Sequence, residues 1–222
     1  MTDDDCEPGA CHRGRLRLGG VLLAAGEGRR LGGQPKALIE VGGETLIHRN
    51  LRVLREAGVD ERVVVTGHFR EQLAPLLENF DLSQVTQPSE EHTQSDSLRL
   101  GVAALAAGVD AVMVLPVDMP LLTRADLVAL IGAYKHAEEH IEFVGPLVGS
   151  RPGNPVLFSR KIAASIASGE GAFGSGAWRH HSPEWLLEWQ TDNVHYVTDI
   201  DTPEDLSRWA GRLGSGSGSG QG

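Results

Sequence analysis

Residues 23 to 38 read LAAGEGRRLGGQPKAL, a glycine-rich run with two adjacent arginines and a lysine that follows a short apolar stretch. Glycines let backbone N–H groups approach an anion closely. Arg30 offers a planar fork for phosphate oxygens and Lys36 a compact point charge. With Arg29 alongside, the loop is suited to a triphosphate, whose α-phosphate and leaving pyrophosphate gain charge in a substitution that cations can stabilise. A solvated Gly/Arg turn is the plainer alternative. Two familiar loops fail on spacing. A dinucleotide loop needs G-x-G-x-x-G, and Gly26, Gly28 and Gly32 are spread one residue too far. A Walker A loop needs G-x-x-x-x-G-K-[ST], which GGQPKA does not supply.

Two further stretches carry carboxylates. In VMVLPVDMPLL (112–122) a buried strand ends at Asp118, so its carboxylate emerges at the carboxyl edge of a sheet, where ligands bind open α/β folds. One carboxylate suits Mg²⁺, which keeps several waters and takes other ligands from phosphates. Capping of a helix that starts near Thr123 is a weak account of Asp118, which lies five residues too early. In VTDIDTPEDL (197–206) Asp199 and Asp201 alternate on an expected strand end and point the same way. Asp201 also precedes Thr202-Pro203, a natural helix start, and the local pattern leaves metal ligand and N-cap both open. Ser95, Asp96 and Ser97 stand at a helix N-terminus with free donors for an anion or ribose, although capping alone accounts for Ser95.

The elements that must position these groups alternate in type. Apolar runs predict strands at 20–25, 62–67 and 111–117, and later at 142–148, 154–159 and 194–200. Amphipathic patterns predict helices over 45–58, 69–80, 95–108 and 123–139, with N-caps at Thr45, Ser95 and Thr123 and stops at Gly58 and Gly108. A short helix over 160–168 and a closing helix over 202–213, with Pro203 in its first turn, complete the pattern. Such alternation implies an α/β fold with a mostly parallel sheet covered on both faces. The 222 residues suit one domain over 18–213. A polar arm over 1–17 is expected to be poorly ordered, and a flexible Gly/Ser tail fills 214–222.

Composition narrows the partners. A net charge of −10 leaves no basic excess for general nucleic-acid binding. No apolar run approaches the roughly 20 residues of a membrane span, and the first residues lack the order of a secretory signal, so a cytoplasmic location is expected. Cys6 and Cys11, with His12 beside them, fall short of the four ligands of a closed zinc site and are read as free thiols.

The loop resembles the signature of the MobA-like nucleotidyltransferases, L-A-A-G-x-x-x-R-[ML]-G…P-K, whose members join CMP or GMP to molybdopterin cofactor, sugar phosphates or methylerythritol phosphate. The resemblance covers residues 19 to 213 and implies a three-layer α/β/α, Rossmann-like (GT-A-like) fold with a mostly parallel mixed sheet. It implies nucleotide binding by Leu23, Ala24, Ala25, Gly26, Gly28, Arg29, Arg30, Lys36, Ser95 and Ser97, with Arg30, Lys36 and Asp118 catalytic. PVDMP resembles the family's D-M-P metal motif and DIDTPEDL its C-terminal motif, which implies Asp118 and Asp201 as Mg²⁺ ligands and Asp199 as a candidate third. QSDSLRLGV is similar to S-S-S-L-R-x-G, with Asp96 departing from the usual serine.

GSRPGNPVLFSR (149–160) resembles the G-x-P-V-L-F acceptor motif of the cytidylyl branch, and the resemblance implies an acceptor pocket with Asp96, Gly153, Asn154 and Arg179. The guanylyl branch typically shows L-A-G-G, and the methylerythritol-phosphate enzymes carry H-D-A-x-R at the metal strand; neither is present. The resemblance therefore points to a molybdenum cofactor cytidylyltransferase-like enzyme using CTP, with GTP as the alternative. One departure lies at GEGAFGSGAWRHHSPEW (169–185), where G-D-[KR]-G-A-R is usual. There Glu170 and Arg179 stand in for the Asp and Arg, while His180 and His181 are read as exposed loop residues. It leaves room for another acceptor, such as a sugar phosphate or phosphonate. A reading of another class is a non-catalytic chaperone that serves a molybdoenzyme partner.

Overall fold

The computed structural model describes residues 13–88, 93–169 and 183–210. Its centre is built from the Val/Leu runs. β1 (Leu18–Ala24), β4 (Glu61–Thr66) and β6 (Ala111–Pro116) lie side by side and parallel. Alternation along each strand divides its side chains between two apolar layers, as a period of two requires. On β6, Ala111, Met113 and Leu115 enter one layer, and Val112 and Val114 the other. The first layer is closed by α1 (Leu46–Glu56), α2 (Arg70–Leu77) and α4 (Arg124–His136), through Leu51, Leu54, Leu73, Leu77, Leu127 and Leu130. The second is closed by α3 (Gln94–Ala103) and α5 (Arg160–Ser168), through Val102, Ile162 and Ile166. Each fully buried leucine in such layers contributes about 1.5–3 kcal/mol. The result is the three-layer α/β/α arrangement the sequence implies.

The sheet extends through β5 (Ser83–Thr86), β7 (Phe143–Val148), β9 (Val156–Ser159) and β10 (Leu186–Gln190), in the order β10-β7-β9-β6-β1-β4-β5. A two-residue strand, β8 (Arg151–Pro152), pairs with β7. β9 runs antiparallel to both β6 and β7, so the sheet is mixed. A hairpin of β2 (Glu40–Val41) and β3 (Glu44–Thr45) leads into α1. Gly42 and Gly43 form its turn with φ of 66° and 78°, as a two-residue primed turn demands. α6 (Pro203–Ala210) follows the last loop and sets Leu206 and Trp209 against a small cluster of Leu31, Ile39, Val41, Leu46 and Ile200.

Several expectations need correction. The helix expected from Ser95 begins at Gln94 and is capped by Thr93, whose side chain and Asp96 form a reciprocal capping box. Only Thr93 has an acidic residue three positions on, which decides the cap. That helix ends at Ala103, so Gly108 is not its stop. The strand expected over 194–200 is instead a 3-10 turn, Val194–Val197, followed by irregular backbone. β5 and β10 are edge strands whose partial exposure leaves no apolar run to read in the sequence.

Of the arm expected over 1–17, the last five residues are described. Arg13 donates to the carbonyls of Tyr134 (3.1 Å) and Ile141 (2.5 Å), and its guanidinium stacks over the Tyr134 ring at 4.2 Å. The tail expected over 214–222 lies outside the described residues, as do Cys6, Cys11 and His12. Among the described residues no helix is long and apolar enough to cross a membrane.

Candidate active site

β1 releases the chain at Ala24, and the glycine loop turns back under it. Gly28 and Gly32, with φ of 62° and 69°, bracket a 3-10 turn at Arg29–Leu31. The carbonyl of Gly28 accepts from Leu31 N–H (2.8 Å) and Gly33 N–H (3.0 Å). A Cβ on Gly28 would stand 1.9 Å from the Gln34 carbonyl oxygen, so no other residue fits this fold of the loop. Leu31 points inward to Ile39 and Ile200, which leaves Arg29 and Arg30 facing out. A second 3-10 turn, Lys36–Leu38, starts after the extended Pro35 and swings Lys36 toward the end of β6.

Four of the charged groups singled out by the sequence meet there. Lys36 Nζ donates to Asp118 Oδ2 at 2.7 Å and also to Asp201 Oδ1. Arg30 Nη1 donates to Asp201 Oδ2 at 2.9 Å. Burial works against the Lys36 charge, but Asp118 and Asp201 outweigh it and hold the ammonium above the ordinary lysine range. Arg29 pairs instead with Glu27 at 2.5 Å.

Asp118 and Asp201 are brought together by backbone. Val117 N–H binds the Leu23 carbonyl at 3.1 Å, beyond the last residue of β6, and the Asp118 carbonyl receives Ile200 N–H at 3.0 Å. The cap of α6 is Thr202, whose hydroxyl accepts from Asp205 N–H at 3.2 Å while Asp205 Oδ2 accepts from Thr202 N–H at 3.0 Å. Asp201 is therefore not the capping group, and its carboxylate is taken by Lys36 and Arg30. Asp199 is not joined to them in a three-ligand set: among the described residues no three His, Cys, Asp or Glu side chains stand close enough to hold a metal. Desolvation, and then the charges of Asp118 and Asp201, push its carboxyl above the usual range.

A cleft of about 670 Å³ opens beside the loop at the carboxyl ends of the parallel strands. Leu23, Ala24, Ala25, Gly26, Gly28, Arg29, Lys36, Ser97 and Asp118 line it. Arg30, Asp201 and Ser95 do not. Asp96 is occupied at the helix cap, its Oδ2 accepting from Thr93 N–H at 2.9 Å. Gly153 packs on Tyr196, where a Cβ would meet the Tyr196 carbonyl oxygen at 2.6 Å. Asn154 N–H donates to that same carbonyl at 2.8 Å. Neither residue lines the cleft. Arg179, Glu170, His180 and His181 lie outside the described residues.

Other cleft residues escaped the sequence reading. Gly67, His68, Phe69 and Arg70 follow β4, and Gln87 and Pro88 follow β5. A Cβ on Gly67 would lie 2.7 Å from the Ala25 carbonyl oxygen, so the β1 and β4 loops touch through bare backbone. Gln87 Nε2 donates to Ser97 Oγ and to the Thr93 carbonyl (3.2 Å), tying the end of β5 to the start of α3. The strand-end rule that exposed Asp118 applies equally after β4, whose strand was legible, and gave the signal for His68 and Phe69.

A family model described as MobA-like NTP transferase domain matches residues 20–185. The bifunctional protein GlmU of Xanthobacter autotrophicus is 32% identical over 151 residues, 65% of this chain and 32% of that protein. The chain thus spans about a third of the length of that relative. A molybdenum cofactor guanylyltransferase of Cereibacter sphaeroides is 29% identical over 208 residues, covering 87% of this chain and 95% of that protein. Rv0371c of Mycobacterium tuberculosis H37Rv shares the fold with a TM-score of 0.73 at 24% identity, covering 88% of this chain and 98% of the other. A further crystal structure of Rv0371c is a complex with manganese.

Proposed function

The chain belongs to the MobA-like NTP transferase family, and from that premise we propose that it transfers CMP from CTP to a phosphate-bearing acceptor, molybdopterin cofactor in the first instance, with release of pyrophosphate. The observation that carries this reading is the Lys36 ammonium set between Asp118 and Asp201 beside the glycine loop. Two aspartates that each turn an oxygen to one cation offer the hard, anionic donors that suit Mg²⁺, which retains waters and shares phosphate oxygens. Asp118 and Asp201 are the residues that hold it in this reading; when bound, it supplies charge neutralisation at the reacting phosphate.

The chain's own groups do the rest. Loop amides from Ala25 to Gly28, together with Arg30 and Lys36, bind and orient the triphosphate and stabilise charge on the departing pyrophosphate. Ser97 and the residues after β4 line the space left for the nucleoside. An acceptor phosphate oxygen forms the new bond to the α-phosphorus as the bond to the β-phosphate oxygen breaks in line. A phosphate is already ionised near neutral pH, so the attack calls for position rather than a side-chain base. A cytoplasmic setting belongs to the same proposal.

GTP is the second reading, favoured by the likeness to a molybdenum cofactor guanylyltransferase along 87% of the chain. A pyrophosphate-release screen of four NTPs against molybdopterin and a panel of sugar phosphates and phosphonates tests both. Release with CTP and molybdopterin is expected. Release with GTP alone moves the reading to the guanylyl reaction, and no release with any pair overturns it.

A further inference from the structure

Asn50 lies midway along α1 with no exposed surface, among Ile47, Leu51 and Leu54. An asparagine in such a place loses hydration and has poorer helix propensity than leucine. Its Nδ2 donates to the Val117 carbonyl at 2.8 Å, while its Oδ1, equally buried, has no hydrogen-bond partner. The acceptor half of the amide is left unmet, a cost that an apolar residue of similar size does not carry. What offsets it has to come from the half that is used.

That half lands on the peptide joining Val117 to Asp118. The peptide is planar, so the direction of the Val117 carbonyl sets the plane from which Asp118 departs. β6 has ended at Pro116, and the ladder no longer aligns this unit. Its two neighbours are held, Val117 N–H by the Leu23 carbonyl and the Asp118 carbonyl by Ile200 N–H. Asn50 is the clamp on the bond between them. Without it the Val117 carbonyl, on a residue only 6% exposed, lacks that donor, and any turn of the peptide toward another one changes φ of Asp118, the dihedral from which its side chain sets out.

We propose that Asn50 is a positioning residue: by holding the 117–118 peptide it aims the Asp118 carboxylate at Asp201 and so sets the pair's affinity for a divalent cation. This rests on the reading of Asp118 and Asp201 as the metal ligands. The test is Mn²⁺ binding by electron paramagnetic resonance, without nucleotide, to the full chain and to Asn50→Leu and Asp118→Asn. Asn50→Val provides a second apolar filling should leucine not be accommodated.

The expected result is a folded Asn50→Leu protein, with an unfolding temperature at or above that of the parent, whose Mn²⁺ affinity is about tenfold weaker, the lower end of losses seen when outer-shell partners are removed. The Mg²⁺ concentration for half-maximal pyrophosphate release should rise in parallel while KM for the acceptor stays put. An apolar variant that binds Mn²⁺ as the parent does, beside an Asp118→Asn that does not, overturns the role of Asn50. Unchanged affinity in Asp118→Asn overturns the metal reading itself, and the proposal with it.

Discussion

Asp118 and Asp201, from opposite ends of the chain's second half, share a single ammonium: each presents one carboxylate oxygen to Lys36 Nζ. A divalent cation taken up by the same two carboxylates has to compete with that ammonium. The side chain of Lys36 is only 18% exposed, so the contact is weakly screened. Removing the charge leaves two aspartates facing each other, a repulsion that a metal relieves. Lys36→Met should therefore bind Mn²⁺ more tightly than the parent in the absence of nucleotide, by about tenfold or 1.4 kcal/mol. The same variant should lose nucleotidyl transfer. Titration of free Mn²⁺ by electron paramagnetic resonance decides the matter, and an affinity equal to or below the parent's refutes the competition.

Lys36 and Arg30 both face Asp201, but their surroundings differ. The Arg30 side chain is 75% exposed, and hydration screens its pairing. Lys36 sits at the cleft wall beside Asp118. Lys36→Ala is expected to lower kcat by about 10²–10³, the cost of losing one preorganised donor to developing charge. Arg30→Ala should lower kcat by less than Lys36→Ala does and raise KM for the nucleotide. Steady-state pyrophosphate release with circular dichroism as a fold control separates the two. Equal kcat losses in both would mean that the distinction drawn from exposure is wrong.

The glycine loop was legible as a unit because its residues are local: Gly28, Arg30 and Lys36 all lie within one short segment. Asp118 was legible because an apolar run that stops at an acid marks a strand end. Asp199 and Asp201 read as alternating on a strand that does not form; Asp201 still meets Lys36 and Arg30, because irregular backbone after the 3-10 turn carries it there. What was not legible depends on contacts between distant segments. Thr93 and Ser95 are both cap-competent, and the choice falls to Asp96. His68 and Phe69 have no motif of their own; the end of β4 marks their position, but that they line this cleft follows only from the pairing of β4 with β1. Asn50 reads as a stray polar residue until α1 is laid against the loop after β6.

Gly28 and Gly32 provide a matched pair. Both are left-handed, but a Cβ at Gly32 meets nothing within 4 Å, whereas one at Gly28 would stand 1.9 Å from a backbone oxygen. Gly32→Ala should cost only the conformational penalty of about 1–2 kcal/mol. Gly28→Ala should cost more in thermal unfolding and weaken nucleotide binding as well, since the turn that carries Arg30 must open. Isothermal titration with a non-hydrolysable NTP, alongside melting curves, tests this. Similar behaviour of the two variants would remove the argument that the Gly28 contact shapes the loop.

The last loop is held by a carboxylate away from the cleft. Asp126, 6% exposed in the first turn of α4, accepts from Thr123 N–H (2.8 Å), Asn193 Nδ2 (2.6 Å) and His195 Nδ1 (2.9 Å). Burial alone would raise its pKa, but the hydrogen bonds from His195 and Thr123 outweigh this and hold it below the ordinary carboxylate value. A depressed pKa in the folded state stabilises the fold above the unfolded value, near about 4, and that stability is lost as pH falls through the lower, folded one. Asp126→Asn keeps the shape but turns a donor toward donors, at a cost of about 1–3 kcal/mol near neutrality. The gap between parent and variant in urea unfolding should be full at pH 7 and narrow below about pH 4, as the parent's own carboxylate takes up a proton. A gap that stays constant between pH 7 and pH 3 would show that the negative charge of Asp126 does not carry the effect.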